Sequence, residues 1–246
     1  LRQRGVPLSP EGGTEEQVII PEPGLLLSEQ MLSRRGALPL KPAQVTLTGR
    51  YVQLAPLQER HIEPLFAVSN GSPATVGDRG IDPFDAERLI WRYMTAGPFT
   101  VLDDFRSYCR QCKDVPNGMS FCVIDLPSQH PVGMTNLMNN SPDDLKIELG
   151  GIWYSPLVQR SAANTEATYL MLKHVFDLGY RRAEWKSDAL NERSRRAARR
   201  MGFTFEGIQQ QHMIVKDRNR DTVWYRILND EWPSVEARLR KFLYRN

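Results

Sequence analysis

The stretch Tyr154-Ser155-Pro156-Leu157-Val158-Gln159-Arg160-Ser161-Ala162-Ala163-Asn164-Thr165-Glu166-Ala167 decides the fold. A largely apolar run, Lys146–Tyr154, leads into it. An apolar-periodic run to Leu178 leads out of it, closed by Gly179. This order predicts a strand, a tight turn of small residues and a long helix with a glycine stop. The first N–H groups of such a helix lack internal partners, and with the helix dipole they favour an anion such as a pyrophosphate. Small side chains at Ser161, Ala162 and Ala163 let a phosphate approach the backbone, and Arg160 adds a charge-assisted donor. On these residues alone, a phosphate cradle and a strand–turn–helix unit that binds nothing both remain open.

Outward from this stretch the pattern is mixed. Upstream, residues 45–54, Met119–Asp125, 132–138 and Lys146–Tyr154 alternate as strands, and the Gly150-Gly151 pair implies a bulge or a close approach by a ligand. Residues 59–69, 83–95 and 99–112 carry helical spacing. Downstream come a strand around 183–186, a basic helix over 191–201, a hairpin of strands 203–215 and 222–228, and a helix over 231–243. The reading is α+β, with one largely antiparallel sheet flanked by helices. Residues 1–44, rich in proline and glycine, read as an irregular extension with a short helix near 28–34; residues 45–246 read as the folded domain.

Composition narrows the function classes. The chain has 246 residues and a net charge of +3, too small to demand a nucleic-acid or membrane partner. No run of apolar residues is long enough to predict a membrane span. Three cysteines cannot complete a disulfide framework, which points to a reducing, cytoplasmic setting. Cys109 and Cys112 form a CxxC, but no second ligand pair follows, so no metal site is expected.

The segment at 159–164 resembles the coenzyme A loop of the GNAT superfamily of N-acetyltransferases, Gln/Arg-x-x-Gly-x-Gly/Ala. Gln159 fits the first position; Ala162 and Asn164 replace the small glycines. Thr165-Glu166-Ala167, Asn191 with Ser194, Gly202-Phe203 and Glu206-Gly207 are similar to the branch of ribosomal-protein-alanine (RimJ/RimL-like) acetyltransferases. The resemblance runs from Val45 to the end and is strongest from Glu148 onward.

That resemblance implies a GNAT fold, with the sheet splayed at the acyl-CoA site, and an enzyme that uses acetyl-CoA as co-substrate. Ile152, Trp153 and Tyr154 would offer their backbone to the pantetheine arm and the oxyanion. Gln159, Arg160, Ser161, Ala162, Ala163, Asn164 and Thr165 would hold the pyrophosphate. Asn191 and Ser194 would lie near the pantetheine and thiolate, or else cap the helix they begin. Glu148 is the expected general base and His212 a second candidate. The tyrosine acid many relatives carry four residues before Gly-Phe is Ala198 here. One face of the arginine-rich helix, Arg195 with Arg199 or Arg196 with Arg200, would meet the 3′-phosphate or stay solvated. The acceptor would be a primary amine, on a small molecule or a protein N-terminus, and a homodimer is compatible with the sequence. A GNAT-like domain that only binds acyl-CoA or a protein partner is the alternative, and a nucleic-acid binder using the arginine helix is a third.

Overall fold

The computed structural model describes residues 26–244; the expected irregularity of residues 1–25 lies outside the described residues. One sheet of eight strands runs in the order β1-β2-β5-β6-β7-β8-β10-β9. Its strands are β1 (Leu47–Thr48), β2 (Val52–Pro56), β5 (Met119–Asp125), β6 (His130–Ser141), β7 (Lys146–Tyr154), β8 (Arg182–Asp188), β9 (Thr204–Val215) and β10 (Arg218–Leu228). All neighbours are antiparallel except β7 and β8, which are parallel. The crossover between those two is α4 (Ala163–Asp177), as a parallel pair requires.

Two cores cover the sheet. On one face Ile147, Leu149, Ala183, Val223 and Ile227 pack with Ala167, Met171 and Val175 of α4 and with Trp232 and Leu239 of α6 (Trp232–Leu243). The other face is covered over β2, β5, β6 and the end of β7, where Cys122, Met134 and Trp153 meet α2 (Ile62–Ala67) and α3 (Leu102–Asp114). Trp91 centres this second core: its ring lies 5.0 Å from Phe99 and 5.3 Å from Trp153, and its Nε1 donates to the Ser69 carbonyl at 2.9 Å.

Three local expectations are corrected, and one element is added. The strand expected over 45–54 breaks into β1 and β2 around a turn at Gly49 and Arg50, because the fully buried Glu166 carboxylate draws three backbone N–H groups inward: Arg50 (2.8 Å), Tyr51 (2.7 Å) and Val52 (2.8 Å). A side-chain carbon at Gly49 would stand 2.4 Å from that carboxylate, so only glycine fits. The helix expected over 83–95 shrinks to one wide π-turn, Glu87–Trp91, closed by Arg92 N–H to Glu87 at 2.7 Å, which carries Trp91 into its core. The helix expected from 99 starts at Leu102, after an extended Val101. A small hairpin, β3 (Ala74–Val76) with β4 (Arg79–Ile81), is additional; Gly77, at φ +62°, makes its turn.

The short helix near 28 is present as α1 (Glu29–Leu32), capped by Ser28. The chain that follows it docks against the sheet domain. Asn140 Nδ2 donates to the carbonyls of Pro39 (3.0 Å) and Leu40 (2.9 Å), and Lys41 Nζ to those of Lys113 and Val115. Among the described residues, no helix is long and apolar enough to cross a membrane, and no cluster of histidine, cysteine and acidic side chains has the makings of a metal site.

Candidate active site

The parallel pair β7–β8 holds register only from Lys146↔Arg182 to Leu149↔Trp185. Beyond it the strands part. The cause lies in β7: four residues, Gly150 to Trp153, oppose three, Met134 to Asn136, on β6, so β7 carries a bulge. Gly151 takes φ +57°, and a side-chain carbon there would stand 2.2 Å from Asn136 Nδ2. Asn136 Nδ2 donates to the carbonyls of Gly150 (3.3 Å) and Gly151 (3.2 Å) and pins the bulge. The β8-facing backbone edge of β7 beyond Leu149 therefore opens onto a cleft of about 1000 Å³.

Glu148 stands at the apex of the splay, 4% exposed. Its Oε2 accepts from Lys186 Nζ and from Asn139 Nδ2, both at 2.7 Å. Asn139 makes this contact from a left-handed backbone (φ +50°) within an irregular stretch of β6. No hydrogen bond reaches Oε1 from the described residues; it lies 3.2 Å from where a side-chain carbon would sit on Gly150. One carboxylate oxygen is thus anchored and the other faces the bulge. Lys186 also stacks on Trp224, with Nζ 4.5 Å from the ring centre.

At the far end of β7, Ser155 starts a short 3-10 turn, Pro156–Val158, and the turn leads into α4. The left-handed residue of this loop is Arg160, at φ +64°, whereas Ala162 sits at φ −69°. The position that glycine occupies in the family pattern needs no positive φ here, so alanine is accommodated. Ser161 Oγ caps Ala163 N–H at 3.2 Å, leaving the N–H groups of Asn164 and Thr165 without an intrachain acceptor among the described residues. Gln159 braces the loop from within: its Nε2 donates to the Tyr154 carbonyl at 2.9 Å.

The second wall comes from β8 and α5 (Glu192–Arg200). Asn191 Oδ1 accepts from Ser194 N–H at 3.1 Å, so its oxygen is committed to the cap, while its amide N–H groups stay available. Ser194 Oγ accepts from Trp185 Nε1 at 3.0 Å and keeps its own proton to donate. Arg193, Arg196 and Arg200 line the cleft; Arg195 turns away, with Nη1 on the Ala189 carbonyl at 3.0 Å. This selects the Arg196–Arg200 face over the Arg195–Arg199 face. Ala198 is fully buried.

Ile152, Trp153, Tyr154, Gln159, Arg160, Ser161, Asn164, Thr165, Asn191 and Ser194 all line this one cleft with Glu148. His212 is not brought to it. Its Nδ1 lies 2.8 Å from Thr222 Oγ1, across the β9–β10 hairpin. Sequence reading missed Asn136, Asn139 and Lys186. Lys186 alone carried a signal, since it alternates two residues past Glu184, the partner of Glu148 in the parallel register.

A roof crosses the cleft. Three side chains from separate elements hold carbonyls of the Glu87–Trp91 turn: Arg193 Nη2 on Arg88 (2.7 Å), Gln159 Nε2 on Leu89 (3.4 Å) and Lys216 Nζ on Trp91 (2.8 Å).

Residues 52–204 match the family model of the acetyltransferase (GNAT) domain. A GCN5-related N-acetyltransferase from Brucella melitensis is 38% identical, covers 83% of this chain and 87% of its own, and superposes with a TM-score of 0.75. An acetyltransferase of the same family from Chromobacterium violaceum is 33% identical over 78% of this chain and 90% of its own, with a TM-score of 0.69. The Bacillus subtilis protein YdaF, provisionally named a ribosomal N-acetyltransferase, is 27% identical over 63% of this chain and 91% of its own. Its similarity agrees with the branch expected from residues 165–167 and 191–207. The chain belongs to the GNAT family and is an acetyl-CoA-dependent N-acetyltransferase.

Proposed function

We propose that this cleft transfers an acetyl group from acetyl-CoA to a primary amine by direct attack, with Glu148 as the general base. The observation that carries the reading is the free Oε1 of a buried carboxylate at the apex of the β7–β8 splay. A folded domain over residues 45–246 would supply the whole site.

The residues fit the co-substrate in detail. Open N–H groups at Asn164 and Thr165, with Arg160 beside them, suit a pyrophosphate. Arg196 and Arg200 suit the 3′-phosphate. The unpaired backbone edge of Ile152 to Tyr154 suits the pantetheine amides by strand addition. Acetyl-CoA supplies an activated thioester. Lys186 and Asn139 fix the Glu148 rotamer, so that Oε1 faces the incoming amine. As the N–C bond forms, Glu148 takes the proton from nitrogen, backbone N–H groups of β7 carry the oxyanion charge, and the C–S bond breaks to release a thiolate. With Ala198 at the usual tyrosine position, the thiolate leaves without a dedicated acid. The acceptor is a small-molecule amine or a protein N-terminus, and the likeness to YdaF favours the latter.

Calorimetric titration with acetyl-CoA, followed by a thiol-release screen against amines, amino acids and peptides, tests this reading. Saturable binding and amine-dependent release are expected. Absence of acetyl-CoA binding would overturn it. Binding without release against any amine would leave the interaction-protein alternative in its place.

A further inference from the structure

Beyond β7, the face of the sheet that carries Glu148 lies outside the two hydrophobic cores. In register, Glu148↔Glu184, then Glu184↔Arg226, Lys186↔Trp224 and Asp188↔Thr222, share this face. Its charges are paired almost throughout. Lys186 meets Glu148; Arg182 meets Glu184 at 2.7 Å and also Glu206; Arg226 meets Glu231 and, at 3.6 Å, Glu206.

Arg220, at the open end of this face, has no such partner. It lines the cleft and is half-buried, and its guanidinium makes no hydrogen bond or ion pair with any described residue. Its Nε is sealed from solvent without a partner. Burial lowers its pKa, while the carboxylates of Asp188 and Glu148 pull it back up, and Arg220 and Glu148 line the same cleft. Guanidinium stays charged in proteins, and a half-buried charge with unfilled donors is costly unless something fills them. Its planar fork matches a carboxylate or a phosphate. The arginines suited to coenzyme A, by contrast, stand on the 159–165 loop and on α5.

We propose that Arg220 is the acceptor-recognition group: the substrate is an amine that carries an anionic group, held by Arg220 while its nitrogen faces Glu148. This rests on the acetyltransferase reading above and adds the chemical class of the acceptor.

The test is thiol release with acceptor pairs that differ in the anion: L-alanine against L-alaninamide, the C-terminally amidated dipeptides Ala-Asp-NH2 against Ala-Asn-NH2, and phosphoethanolamine against ethanolamine. The first two pairs report a carboxylate and the third a phosphate. At least one anionic member should exceed its neutral partner in kcat/KM. Arg220→Gln should cut that rate by roughly 10- to 100-fold, the range of hydrogen bonds to a charged group. It should cut the neutral partner's rate far less and leave the acetyl-CoA affinity unchanged, and Arg220→Lys should restore part of the loss. Equal losses on both members, no anionic preference in any pair, or weakened acetyl-CoA binding would overturn the proposal. If acetyl-CoA binds but no amine reacts, the function proposed above fails separately. Titration of the CoA-loaded protein with phosphate and with N-acetyl-L-alanine then decides on Arg220: binding weakened about tenfold in Arg220→Gln supports it, and no binding, or equal binding, ends it.

Discussion

Glu166 and Glu148 are both buried carboxylates, and they differ in one respect that sorts structure from chemistry. Glu166 is saturated: Oε1 accepts from Arg50 N–H and the Tyr244 hydroxyl (2.9 Å), and Oε2 from the N–H groups of Tyr51 and Val52. Glu148 has only one oxygen engaged, by Lys186 and Asn139, and leaves the other toward the cleft. A saturated carboxylate holds a fold together, because every lone pair already has its proton donor. A half-satisfied one at a cleft can accept another proton. Burial alone does not separate the two; the hydrogen-bond count per oxygen does.

The sharpest way to break this contrast is to neutralise each in turn. Glu148→Gln should lower kcat at pH 7 by about 100-fold or more, as loss of a general base does, with acetyl-CoA affinity unchanged by calorimetry. An unaltered rate would remove Glu148 from the chemistry. Glu166→Gln should do the reverse. Its amide would point N–H groups at backbone N–H groups, costing about 3 kcal/mol or more and lowering Tm by roughly 6–12 °C for a chain of this size. The fraction that folds should keep near-normal kcat. Tyr244→Phe removes a single donor from Glu166 and should cost about 1.5 kcal/mol without touching turnover, as read from denaturant melts alongside kcat.

The smallest effect belongs to the buried thiols. Burial, reinforced by Cys112 and Glu59, pushes the Cys109 thiol up to about 12, and burial pushes Cys122 up as well. Raised values mean almost no thiolate at pH 7–8. Native protein treated with iodoacetamide should therefore keep its acetyl-transfer rate; loss of activity in step with labelling would argue for an acyl-cysteine route.

The central stretch was the most legible part of the chain. Lys146–Tyr154 reads as a strand because a buried strand is a continuous apolar run, and α4 reads as a helix because its period and glycine stop are both local. The Gly150-Gly151 bulge was legible for the same reason. The turn at Gly49 was not, since its cause, Glu166, lies more than a hundred residues away. The π-turn at Glu87–Trp91 has ordinary helical spacing in sequence; only the aromatic pocket around Trp91 calls for the wider turn. In the site, Glu148 was legible from its strand and its resemblance. Asn136 and Asn139 entered through cross-strand registers, and Arg220 through a hairpin face, none of which a linear pattern carries.

The Glu166 knot also bears on how the chain is made. The turn it anchors is synthesised first. Its carboxylate follows 115 residues after Tyr51, and Tyr244, which completes the set, comes 78 residues later still. On a ribosome the turn between β1 and β2 therefore waits for α4 to supply its carboxylate, and the last hydrogen bond to that carboxylate waits for the end of α6. Contacts of such long sequence separation slow folding. The knot that holds the turn between β1 and β2 thus closes fully only after α6 has been made.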